Sequence, residues 1–310
     1  PLYPWQKGGE SMSEKKKSGA GKGLAVFGVI ILLLGAALFI YGMSVIDWDF
    51  KQLSTFRYEY RTYEAENDKI DSIFVDFDQT NVRVEISETA QKITISYPLT
   101  FDRADKQKTD VTVSAEGGKL TLREESRYNW ADHAFNLNWV SPQTVITLPS
   151  SAFVDINVKT SYGDVVLAGG SYGMLSLETS CGDVKASGFV ADAATLKTDA
   201  GDIKITDADV TEKLVANTHM GDVEAYGVQA YEIDLHSDLG EIEVENLDAQ
   251  SIRLTSSYGD VSGSIEGAAE DFKIDAKTDL GDNNLSNRTD GAKSLYVHTA
   301  LGDIEISFNR

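Results

Sequence analysis

From Ile70 to the end of the chain, apolar and polar residues alternate in short runs punctuated by Gly, Asp and Asn. Ile73, Val75 and Phe77 make one run, and Val82, Val84 and Ile86 the next. Ile93 and Ile95, Val111 and Val113, Leu120 and Leu122, and Val145, Ile146 and Leu148 follow. A period of two is that of half-buried strands. No helical window of comparable strength lies beyond residue 50, so the expectation is an all-β fold.

From residue 151 the runs repeat. Gly-Asp or Gly-Glu recurs at Gly163-Asp164, Gly182-Asp183, Gly201-Asp202, Gly221-Asp222, Gly240-Glu241, Gly259-Asp260, Gly281-Asp282 and Gly302-Asp303, in steps of 19, 19, 20, 19, 19, 22 and 21 residues. A fixed period near 20 marks a solenoid. Counting from each Gly as zero, position −7 is apolar (Ile156, Leu175, Leu214), and so is −5 (Val158, Leu177, Leu235). Position −3 is always Thr or Ser: Thr160, Thr179, Thr198, Thr218, Ser237, Ser256, Thr278 and Thr299. Alternation places −7, −5, −3 and −1 on one inward face. Because −1 and +2 are then both inward, the chain must turn a corner at Gly-Asp, where Gly permits positive φ. A further inward pair is expected near +7 and +9, as at Phe189 and Ala191. The predicted architecture is a single-stranded β-helix-like solenoid of eight coils over 151–310, led by a β region over 70–150. Asn283 breaks the apolar +2 column and 286–293 reads as an insertion, so the seventh coil is expected to be irregular.

One segment departs from this pattern. Leu24 to Ile46 holds no charged residue, and 23 helical residues span the ~30 Å core of a bilayer. Lys15, Lys16, Lys17 and Lys22 precede it and Asp47-Trp48-Asp49 follows, which by the positive-inside bias places residues 1–23 in the cytoplasm and the rest outside the cell. An uncleaved single-pass anchor is expected over 24–46, with 47–69 as a connector. Residues 1–11 precede the first Met and end in Gln6-Lys7-Gly8-Gly9-Glu10-Ser11, codable by a ribosome-binding sequence. They are therefore read as an upstream extension of a bacterial reading frame, with translation starting at Met12.

Charge narrows the partners. Residues 47–310 carry 23 basic and 47 acidic groups, a net of −24. Such a surface repels nucleic acid and favours cations or basic partners. With one cysteine, Cys181, no internal disulfide can form, and its −1 position predicts a buried, inert thiol.

Three columns could carry chemistry. The acids after each Gly stack into a line that would suit Ca²⁺, but the Gly-Gly-x-Gly-x-Asp nonapeptide of calcium-binding β-rolls is absent. Asp also commonly holds its own turn by accepting backbone N–H groups, and that is the favoured role. The Thr/Ser line has no recurring His or Lys base beside it, so no nucleophile is assigned. His219 is expected between Asp199 and Asp238 of adjacent coils, with His236 diagonal to it, as solvated charge pairing rather than a metal site. His133 and His298 have no evident partners. No catalytic residue, cofactor or metal is predicted. In 127–139, Tyr128, Trp130, Phe135 and Trp139 could form a binding platform for a glycan or peptide, or plug the end of the solenoid.

The Thr/Ser-x-x-Gly-Asp-Val/Ile phrase at this spacing, after a β region ending Thr147-Leu148-Pro149, resembles the bacterial toast-rack or "putative adhesin" β-strand-repeat family of unknown function. That family includes LiaG-like membrane-anchored proteins of Gram-positive envelope-stress operons. The resemblance covers roughly 70–310. It implies a surface-exposed, membrane-anchored solenoid without established enzymatic activity or accepted catalytic residues. The expectation is a non-enzymatic extracellular scaffold or binding module, in envelope stress or surface interaction, with a protein or cell-wall partner. A polysaccharide-active β-helix enzyme and a structural or oligomerising spacer are the alternatives. For the last, the chain stops just after the eighth corner, which suggests self-association through an open C-terminal edge.

Overall fold

The computed structural model describes residues 20–45, 47–49, 54–65, 69–128 and 141–309. The chain divides into two compact units, Pro1–Leu53 and Ser54–Arg310.

In the first unit, helix α1 (Ala20–Val45) contains a 20-residue stretch, Val26–Val45, long and apolar enough to cross a membrane. A core helix of a soluble protein buries one face. Here every described side chain from Val26 to Val45 except Met43 is exposed.

Among its described residues, the regular elements of the second unit are strands and one 3-10 turn at Ala269–Asp271. Its early strands are β1 (Phe56–Glu64), β2 (Ser72–Phe77), β3 (Asn81–Ser87), β4 (Thr94–Asp102), β5 (Thr109–Glu116), β6 (Lys119–Ser126) and β7 (Gln143–Pro149). The repeat supplies β8 (Phe153–Tyr162), β9 (Val165–Ala168), β10 (Ser171–Cys181), β11 (Val184–Ala200), β12 (Ile203–Met220), β13 (Val223–Leu239), β14 (Ile242–Tyr258), β15 (Val261–Glu266), β16 (Phe272–Leu280), β17 (Lys293–Leu301) and β18 (Ile304–Asn309).

Successive coils pair in parallel and in register, so like residues stack: Leu177 on Leu196, Leu196 on Ala216, Ala216 on Leu235. The −7, −5 and +2 columns are buried throughout the regular coils, as are Phe189 and Ala191. The column at +6 makes a second corner, where Gly169, Gly188, Asp207, Gly227 and Asn246 all have φ between 52° and 75°. Only Gly, and with less ease Asn and Asp, adopts this left-handed region, so the recurrence of these three types at +6 has a backbone cause.

The leading β region is continuous with the rack. Strands β2 and β3 pair in parallel beneath β8 and β9, and β6 and β7 lie beneath β2 and β3. Antiparallel β5 on β6, β4 on β7 and β1 on β4 then cover this end. Of the aromatic segment expected to plug it, Trp130, Phe135 and Trp139 lie outside the described residues, as does His133. Tyr128 packs edge-to-face on Phe56, ring centroids 5.3 Å apart.

The other end differs from the expected open edge. Strand β17 pairs with β14 on one side and β16 on the other, and β18 pairs with β15. The eighth coil is thus inserted between the sixth and the seventh, and the final strand is interior. The irregular segment after Gly281 covers what remains. Arg288 exchanges both backbone bonds with Ile274, at 2.9 and 3.0 Å, and Asn287 Oδ1 accepts the Ala276 N–H at 2.7 Å. Asn284 Oδ1 accepts the Ile306 N–H, while its Nδ2 donates to the Ile306 carbonyl. These bonds cover the Ile274 and Ala276 positions of the β16 edge, and the eighth coil, lying between two others, is not the terminal layer expected for self-association.

Candidate functional site

Each corner is built from the side chain at −3 inward and the acid at +1 outward. The Thr218 hydroxyl donates to the carbonyl of Gly201, in the coil before, at 2.9 Å. The same bond recurs from Thr179, Thr198, Ser237, Ser256, Thr299 and Thr278 to the glycine of the adjacent coil, at 2.8–2.9 Å. Thr160 makes it to Thr80. All of these residues but Thr278, which is half-buried, are buried among apolar side chains, where an unpaired polar group would be costly. The column therefore holds one coil to the next.

The acids form a second line of bonds. Asp164 Oδ1 accepts the Asp183 N–H at 3.0 Å, Asp183 the Asp202 N–H at 3.1 Å, Asp202 the Asp222 N–H at 2.9 Å and Asp222 the Glu241 N–H at 2.8 Å. It resumes from Asp260 to Asp303 and from Asp303 to Asp282, both 2.7 Å. The expected bond within one turn is replaced by one between coils, because parallel stacking sets each carboxylate against the next coil's N–H. Asn81 supplies the starting rung, accepting the Asp164 N–H at 2.9 Å. It performs the acid's role without the Gly-Asp signature, and the only sequence signal for it was Val82 re-entering the core.

Charge repulsion along this line is relieved by the N–H dipoles and by a few ammonium groups. Burial raises the Asp183 carboxyl, but the Lys185 ammonium at 2.8 Å and the Asp202 N–H together outweigh it and hold it below the usual carboxylate range. Among the described residues no group of three or more His, Cys, Asp and Glu is placed to hold a metal ion.

The ladder has one gap. The Asp260 N–H makes no bond to Glu241, the one rung where glutamate, a methylene longer, replaces aspartate. Glu241→Asp is expected to supply the missing bond, adding about 0.5–1.5 kcal/mol and raising Tm by roughly 1–6 °C. Thermal unfolding of the two proteins side by side checks this; an unchanged or lower Tm would mean that the carboxylate bonds contribute nothing.

Position −1 is where the structure departs most from simple alternation. Tyr162, Cys181, Met220, Leu239, Tyr258, Leu301 and Leu280 are all exposed, and Ala200 half so. Thr or Ser is the last inward residue, and the chain is already turning at −1, which lies outside the corner. Cys181 is therefore exposed and not buried. The −1 residues stack in register from coil to coil, giving an apolar ridge beside the acid line.

The sequence match agrees with this geometry: the family described as Toastrack DUF4097 matches residues 70–308. The chain belongs to the Toastrack family. Solved structures to which the chain is similar include a "putative adhesin" of Bacteroides fragilis (14% identity, covering 80% of this chain and 97% of that one, TM-score 0.46). Another "putative adhesin", from Parabacteroides distasonis, shares 12% identity over 81% of this chain and 97% of that one, TM-score 0.39. A "putative lipid binding protein" of the same organism shares 14% over 80% and 97%, TM-score 0.36. No curated protein matches the chain.

His219 and His236 of this Toastrack chain lie on the outer face, while the His298 Nε2 is buried. His236 bonds Thr255 through Nδ1 at 2.9 Å and Asp238 through Nε2 at 3.1 Å. His219 Nδ1 lies 4.0 Å from Asp199 Oδ1. Asp238, expected beside His219, is engaged by His236.

Proposed function

We propose that this chain is a membrane-anchored extracellular binding module or scaffold, acting in cell-envelope stress sensing or surface interaction. The observation that carries the reading is a corner-stacked rack with an exposed apolar ridge, in a chain whose N-terminal helix is long and apolar enough for a membrane. The positive-inside bias of Lys15, Lys16, Lys17 and Lys22 supports an N-terminus in the cytoplasm and a rack outside the cell. A non-enzymatic role is supported by the corner acids, which a polysaccharide-cleaving reading would need free. Their carboxylates accept backbone N–H bonds from neighbouring coils instead. The test is saturable capture: the full chain, in detergent, is incubated with isolated cell walls and with solubilised envelope proteins. Saturable, competable binding to one of them is expected, with no release of reducing sugar from the wall. Binding to neither, or sugar release that continues with time, would overturn the reading.

A further inference from the structure

The ridge at −1 carries information about what the module binds, and the inference rests on the binding reading above. Single exposed apolar residues are ordinary on a protein surface, but a contiguous row is not. Between Met220 and Leu301 every rung is apolar and exposed: Met220 is 54% accessible, Leu239 50%, Tyr258 56% and Leu301 41%. At ~4.8 Å per layer the eight rungs from Tyr162 to Leu280 extend roughly 34 Å.

One flank is acidic throughout: the corner carboxylates Asp222, Glu241, Asp260 and Asp303 run beside these four rungs. On the other side position −2 is His219, Asp238, Ser257 and Ala300, with one acid at Asp238. The lysines nearest the corner are already paired, Lys185 with Asp183 and Lys204 with Glu224. The corner row repels an anionic lipid surface, and it repels a second copy wherever the two acid rows meet. The complementary partner has apolar residues in single file beside a row of Lys or Arg. An α-helix with one apolar residue per turn repeats every 5.4 Å. That stays within about half a rung of the ~4.8 Å layers over four or five coils. A single file this narrow suits one helix rather than the broad patch of a folded domain, whose stable interfaces bury about 800 Å² per partner.

We propose that the −1 ridge docks a cationic amphipathic helical segment lying along the solenoid axis, with its apolar file on Met220, Leu239, Tyr258 and Leu301 and its basic residues on the flanking acids. The full chain in discs of zwitterionic lipid is titrated into a labelled synthetic helix of about 20 residues, long enough to span most of the ridge. Leucine stands once per turn between lysines, and empty discs are the reference. Saturable one-to-one binding is expected, weakening as salt screens the flanks. The same helix with glutamate for lysine is expected not to bind. Met220→Glu/Leu239→Glu removes apolar contact while adding negative charge, and is expected to weaken binding about tenfold or more. Val190→Glu, exposed on another face, should leave it unchanged. Absence of saturable binding, equal binding of the glutamate helix, or indifference to the double substitution would overturn the proposal. If the helix fails while capture by walls or envelope proteins persists, only this inference falls. If both fail, the binding-module reading falls with it.

Discussion

Gly221→Ala is expected to destabilise the rack by about 3–5 kcal/mol, among the largest effects of any single substitution in the chain. Two faults add. Gly221 has φ +143°, which an L side chain rarely adopts, and holding a residue in a sparsely populated region costs about 1–3 kcal/mol. The new Cβ would also press into the carbonyl of Gly201 in the coil beneath, well inside van der Waals contact. Relieving that clash against stacked backbone costs roughly another 1–3 kcal/mol. Gly188→Ala separates the two faults. Its φ is +63° and open space surrounds the site, so only the conformational cost of about 1 kcal/mol applies. Denaturant midpoints should therefore fall far more for Gly221→Ala than for Gly188→Ala. Similar losses at both sites would mean that the corners are not stacked closely enough to exclude a methyl group.

The second large effect runs against hydrophobicity. Thr218 is fully buried, and Thr218→Val keeps its shape while making it more apolar. The structure nevertheless implies a loss of about 1–3 kcal/mol, the cost of stranding the Gly201 carbonyl without its donor. Thr218→Ser keeps the hydroxyl and gives up one methyl, worth about 1 kcal/mol, so serine should be the milder change. Ser237 and Ser256 occupy the same column with the same bond. If valine proved as stable as threonine, the column would be packing alone.

The solenoid was legible because parallel, in-register stacking forces one residue type per column, and that writes the period into the chain. Thr160 through Thr299 could be read as an inward hydroxyl line for the same reason. Position −1 was not legible. Alternation is a property of straight strands, and nothing in Tyr162 or Leu239 says that the turn begins one residue before the glycine. Order at the C-terminal end was hidden for a different reason. A backbone ladder bonds equally well to any coil, so the repeat cannot say that the Gly302 coil slips between those of Gly259 and Gly281. The 22-residue step and Asn283 marked the irregularity without giving its topology. The layer of β2 and β3 escaped the repeat because Asn81 replaces the acid and no glycine precedes it.

Cys181 is the only cysteine in the chain, and it lies on the ridge. It therefore reports on both the corner geometry and the side of the membrane that the rack occupies. The deciding measurement is its labelling by a bulky, membrane-impermeant maleimide in intact cells overproducing the protein, compared with lysed cells and with denatured protein. Labelling of intact cells to the same extent as denatured protein is expected. Labelling only after lysis would contradict the extracellular placement, and labelling only after denaturation would contradict the exposed ridge.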